Sequence, residues 1–267
     1  MKTWLMALAL LVMLAPSAVA QQGDCVALTH QALELSGLNQ SILDMTQMMN
    51  SEQFMQQVSR GQSGSADFAK FKPIMVKDFD GTIMRRELES RLLAQCDPAT
   101  MASAIDAMKS PLVSRMLALE AEAGTPAGQE KVKRYARAIQ VVPPPDDRLD
   151  AVAILDDSAG SSDLAADAVI VVTRGMLQGA GDQSDASEEL SRHRKDIKMS
   201  MRNALQVSML CTYKTVARAE ILQYAKELQS GPLKAFYDQA KQAFLEVMEN
   251  RARAAGADLK TIITASR

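Results

Sequence analysis

Apolar residues recur along this chain at helical spacing, three or four apart, and the strict alternation of a half-buried strand is almost missing. Asp24 is placed to cap a first helix carrying Val26, Leu28, Leu33, Leu35, Leu38 and Ile42 on to Met45, Met48 and Met49. Ser51-Glu52 predicts a restart with Phe54, Met55 and Val58 on one side, and residues 60–66 (RGQSGSA) read as a loop. A helix follows Pro73, and another from Gly81 to Gln95 carries Ile83, Met84, Leu88, Leu92 and Leu93. Asp97-Pro98, Ser110-Pro111 and Thr125-Pro126 each set a polar cap before a proline, which predicts three short helices with fixed corners. Val169-Ile170-Val171-Val172 is the one β-like run, and its flanks favour a buried helix over 163–177. A long helix is expected from Ser187 to Thr212, then helices over 216–229 and 231–252, and a short one after Gly256.

Two stretches resemble each other. Ser110-Pro111-Leu112 and Gly231-Pro232-Leu233 stand 121 residues apart, each after one helical run and before another. Cys96 and Cys211 close the helix before each unit. The pattern suggests an internal duplication, divided at Val141-Val142-Pro143-Pro144-Pro145, where consecutive prolines exclude helix. The expected organisation is a leader over 1–20, a helical unit over 21–140, a Pro-rich linker over 141–146 and a second helical unit over 147–267. The expected class is all-α, two similar bundles.

The leader changes where the chain is expected to work. Lys2 gives a basic start, Trp4 to Ala15 is apolar, and Ala18 and Ala20 fit a small-residue cleavage site before Gln21. The apolar run is too short to span a bilayer, and no later segment approaches that length. An exported protein is expected, periplasmic in a Gram-negative cell or else secreted. In that oxidising setting three cysteines allow one disulfide, and Cys25–Cys96 is the favoured pair because a helix leaving Cys25 could meet an antiparallel one returning at Cys96. A leftover Cys211 on an apolar helix reads as a small hydrophobe.

The remaining composition mostly removes options. A formal net charge of −2 with mixed signs gives no footprint for nucleic acid. The two histidines, His30 and His193, stand in no metal-ligand spacing, and no phosphate loop or nucleophile motif occurs. Neighbouring carboxylates at Glu87/Glu89, Asp156/Asp157 and Glu188/Glu189 read as solvated helix faces, and so do Lys131 to Arg134 and Arg192 to Lys195. With 4% aromatics, stacking platforms for sugars are poorly supplied. Methionine is in excess at 17, and Met45, Met48, Met49 and Met55 suit a core stripe better than a Cu(I) site. No cofactor and no metal are expected.

The helix–corner–helix stretches resemble a family of bacterial exported proteins with an uncharacterised all-helical domain. The residues that carry the likeness are Glu220-Ile221-Leu222 with Gln229-Ser230-Gly231-Pro232-Leu233, Thr100 to Leu112, and Arg148-Leu149-Asp150 through Leu155-Asp156. Met108-Lys109 and Leu228-Gln229 stand where that family has an aromatic pair, and its glycine after Ser-Pro-x is missing. The resemblance implies an all-α fold and brings no activity. Leader, fold and missing motifs together lead to the expectation of a non-enzymatic binding or scaffolding protein with a protein partner in the cell envelope. A chaperone-like holdase or envelope-stress protein is the alternative, and an enzyme with dispersed catalytic residues the third. Convergent polar groups in a pocket would mark the last.

Overall fold

A computed structural model describes residues 16–50, 65–181 and 191–265, and every regular element among them is an α-helix. In chain order they are α1 (Pro16–Leu35), α2 (Leu38–Asn50), α3 (Ser65–Asp78), α4 (Gly81–Ala94), α5 (Pro98–Met108) and α6 (Pro111–Gly124). Then come α7 (Pro126–Ile139), α8 (Asp146–Ala159), α9 (Ser161–Ala180), α10 (Arg194–Thr212), α11 (Arg218–Leu228) and α12 (Gly231–Ala265). The all-α expectation holds, and Val169 to Val172 lie inside α9.

Several boundaries differ from the sequence reading. Asp24 is inside α1, because the helix begins at Pro16 and runs through Ala18, Ala20 and the expected cleavage point. Gly37, at φ 71°, divides the expected first helix into α1 and α2. α3 passes through Pro73 instead of starting after it. α12 runs without a break across Gly256, so the expected last helix is its final third. The 60–64 part of the expected loop, Ser51 to Val58, the side chains of Met45, Met48, Met49 and Met55, and Glu188/Glu189 lie outside the described residues.

α12 is the spine. At about 1.5 Å per residue its 35 residues span roughly 50 Å. α9 packs along one side of it, while α3, α4 and α5 pack on another. The α9 contact is close because three glycines lie in it. A Cβ on Gly175, Gly179 or Gly256 would meet backbone oxygen of the facing helix at 2.6, 2.0 and 2.1 Å. Ion pairs edge the seam: Arg174 holds Glu249 through two bonds at 3.0 and 2.9 Å, and Arg251 holds Glu87 on α4. These pairs are partly exposed and fix orientation more than they stabilise.

One core continues across both sides of the proline segment, from Leu33, Phe79 and Met84 to Tyr224, Phe236 and Val247. Pro143 to Pro145 are extended between α7 and α8. The cysteine expectation holds: Cys25 and Cys96 are joined, with Cα atoms 6.0 Å apart, and this ties α1 to the start of α5. Cys211 is free and half-buried.

The two helix–corner–helix units match locally. α5 and α11 have 11 residues each, and their buried positions (Met101, Ala104, Ile105, Met108 against Ile221, Tyr224, Ala225, Leu228) correspond at a spacing of 120. That is one less than the spacing of the prolines. The extra residue is Gly231, whose φ of 59° puts a left-handed step where the first corner has Pro111. Flanking helices diverge, with 14 residues in α6 against 35 in α12, so duplication of complete halves is not established.

Candidate functional site

Inside this frame lies a cavity of about 1120 Å³, partly open to solvent. It is bounded by the α1–α2 turn, the end of α6, the α8–α9 turn and the inner faces of α10, α11 and α12. Most of its wall is apolar, with Leu38, Ile42, Leu155, Leu164, Leu205 and Phe244 prominent. Its size and character are those of sites that enclose small organic molecules.

One carboxylate stands in that wall. Glu120, on the last turn of α6, takes the Tyr224 hydroxyl on Oε1 at 3.1 Å and the Tyr213 hydroxyl on the same oxygen. Tyr224 belongs to the buried stripe of α11, and Tyr213 ends α10, its N–H donating to Met209 O at 2.9 Å. Tyr237, one face of α12 away, packs its ring edge-on against Phe236 with centroids 5.3 Å apart. Three of the chain's four tyrosines therefore gather at one acid.

The electrostatics follow from enclosure. Glu120 keeps an exposed side-chain surface that forms part of the cavity wall, yet the protein crowded around its carboxyl group desolvates it and pushes its pKa above the ordinary range, against the pull of the two tyrosine hydroxyls. Burial and then the charge of Glu120 raise Tyr213, Tyr224 and Tyr237, which keeps all three phenols protonated. Among the described residues no lysine or arginine bears on Glu120. Its second oxygen, Oε2, has no protein partner among the described residues and is left for the cavity.

A cation lies elsewhere in the same cavity. Lys241 on α12 is half-buried, and burial lowers its amine, opposed by the nearby charges of Asp238 and Asp163. Its Nζ fills the space beside Gly160, the left-handed residue between α8 and α9. The other charged side chains of the wall are neutralised: Lys234 pairs with Asp238, and Asp157 with Arg202 at 2.8 Å.

The residues expected to matter from sequence are structural. Asp97 caps α5 through Thr100 N–H at 2.9 Å, and Thr125 caps α7 through Gly128 N–H at 3.1 Å. Pro98, Pro111 and Pro126 open their helices, while Ser110 holds the cap position without a side-chain bond. None of these, nor Gly231 or Pro232, lines the cavity. Asp156 corrects the solvated-face reading. It is buried, accepts from Ser162 N–H at 3.0 Å and from the Ser162 hydroxyl, and lies 3.6 Å from Arg202. His30 and His193 are exposed, and no group of metal-holding side chains occurs among the described residues.

Glu120 itself escaped sequence reasoning. It sits beside Glu122 in a run that looks like a solvated helix end, and its tyrosines are 93 to 117 residues away. The available signal was Tyr224, a polar-tipped aromatic within an otherwise aliphatic buried stripe, which requires a partner for its hydroxyl. No family model, no curated protein and no solved structure matches this chain.

Proposed function

We propose that this is an exported, non-enzymatic binding protein that encloses an amphipathic small molecule in the central cavity. The observation that carries the reading is the combination of a large apolar enclosure with one carboxylate oxygen left unpartnered inside it. A core that needed only packing would fill such a volume, since voids of this size forfeit both hydrophobic and dispersion energy. Export rests on the residues 1–20 leader and is compatible with the Cys25–Cys96 disulfide. No helix among the described residues is long and apolar enough to cross a membrane.

The holdase alternative finds less support. The exposed large apolar residues, such as Val26, Val76, Ile154 and Met199, are spread over different helices. The enzymatic alternative keeps one specific observation, a carboxyl raised by burial beside three phenols, which is the setting of a general acid.

The test is extraction. Protein isolated from the envelope without detergent is denatured in organic solvent and the extract read by mass spectrometry, with the intact mass showing whether the chain starts at Gln21. One molecule at near-stoichiometric yield is expected, and it should vanish when Ala168→Trp fills the cavity wall. An empty extract from both proteins, with no ligand found by thermal-shift screening, would sink the reading.

A further inference from the structure

We propose that the ligand is a cationic amphiphile, an apolar chain whose protonated amine donates to Oε2 of Glu120. The inference rests on the cavity reading above and adds the ligand's charge to it. The argument is a charge inventory of the wall. Asp157 and Asp238 already have their cations, Arg202 and Lys234. Lys241 makes no ion pair among the described residues; it feels the charges of Asp238 and Asp163 at longer range, and these are paired with Lys234 and with Arg194 and Lys198. Among the described residues Glu120 is the wall carboxylate that faces no cation, and its polar partners are two neutral phenols.

Those phenols also settle the geometry. Both donate to Oε1, which uses the lone pairs of that oxygen and fixes the carboxyl group in the wall. Oε2 remains an acceptor in a largely apolar cavity wall, where a charge-assisted hydrogen bond is stronger than a neutral one. An alcohol could supply a donor there but no counter-charge. An anionic headgroup would be repelled by Glu120, would leave Oε2 without a donor, and would have to take Lys241, beside Gly160, as its counter-charge. The apolar body would lie against the leucines of α8, α9 and α10 and against Phe244.

Calorimetric titration of the full-length, disulfide-bonded protein with decylamine, decanol and decanoate at neutral pH tests the assignment. The amine should bind at least about tenfold more tightly than the alcohol, the scale of a hydrogen bond to a charged group. Glu120→Gln keeps an oxygen for both tyrosines and should reduce the amine to the alcohol's affinity. Glu120→Asp, which withdraws the charge without removing it, should retain part of the preference. Equal binding of amine and alcohol, or a preference that survives Glu120→Gln, overturns the proposal. So does tightest binding of decanoate that is lost in Lys241→Met. If none of the probes binds but a molecule is extracted from the native protein, the cavity reading stands and the cationic assignment falls. If neither occurs, both fall.

Discussion

Tyr224 donates its hydroxyl to Oε1 of Glu120 at 3.1 Å, across 104 residues of chain. The bond joins α11, the first member of one helix pair, to the end of α6, the second member of the similar pair, and it is made at the wall of the cavity. The bond favours the ionised form of Glu120, but desolvation at the same place outweighs it and disfavours the charge.

That balance has a sign that can be measured. The folded protein binds the Glu120 proton more tightly than the unfolded chain does. The contribution to stability is fully present below the unfolded carboxylate pKa of about 4.3 and is lost as pH rises through the elevated folded value. Tyr213, Tyr224 and Tyr237, the groups that face it, stay neutral throughout and do not reverse the trend. Glu120→Gln should therefore gain stability relative to the native protein at pH 7 and gain less at pH 4. Urea unfolding of the ligand-free proteins at the two pH values checks this, and a gain independent of pH would refute it.

Tyr224→Phe removes one donor and leaves Glu120 Oε1 with Tyr213 alone. The loss should be about 1 kcal/mol, the ordinary net value of a hydrogen bond, because the ring keeps its packing in the α11 stripe. The same substitution should raise the Glu120 carboxyl further, since one of the two bonds favouring its ionised form is gone. Carboxyl titration followed by carbon-13 NMR would show the displacement.

Asp156→Ala should cost more, about 3 kcal/mol. The side chain is buried and serves the first turn of α9, so its removal strands the Ser162 N–H and hydroxyl and leaves Arg202 with Asp157 and the Ala153 carbonyl. Asp157→Ala, one residue away and exposed, should cost less than about 1 kcal/mol. The pair of denaturation midpoints separates a buried cap from a surface ion pair.

Local rules were enough for much of the fold. Asp97-Pro98 and Thr125-Pro126 cap the helices expected of them, and Cys25 meets Cys96, because these outcomes depend on neighbouring residues or on a single helical return. Pro73 and Gly256 misled for a physical reason. Residues that weaken an isolated helix are retained inside α3 and α12, where packing against other helices outweighs propensity. The cavity was illegible because its polar groups come from α6, α10, α11 and α12, and no spacing in the chain places Glu120 beside Tyr213 and Tyr224. Asp156 and Asp157 show the same limit at short range, adjacent in sequence but one buried and one exposed.

The crossing of α9 and α12 makes the last prediction. Judged by helix propensity alone, Gly179→Ala and Gly256→Ala should each stabilise the protein by about 1 kcal/mol, since both glycines are in or beside helical backbone and alanine is the better helix former. The structure reverses the sign. A Cβ on Gly179 would come within 2.0 Å of the Arg253 carbonyl oxygen, and one on Gly256 within 2.1 Å of the Met176 oxygen. These are backbone atoms that cannot swing aside, so the helices must separate and the Arg174–Glu249 pair along the seam must lengthen. Overpacking of this kind costs roughly 1–3 kcal/mol, and the two substitutions act on one interface, so their combined effect should be less than the sum. Gly231→Ala is the contrasting case, because nothing lies within 4 Å of its Cβ and only the left-handed backbone at φ 59° opposes the change. It should cost about 1–2 kcal/mol without altering the seam. Chemical denaturation of the four variants, with amide exchange of α9 and α12 as the second readout, distinguishes a forced crossing from simple propensity: faster exchange confined to Gly179→Ala and Gly256→Ala is expected, and stabilisation by either would show that the seam yields.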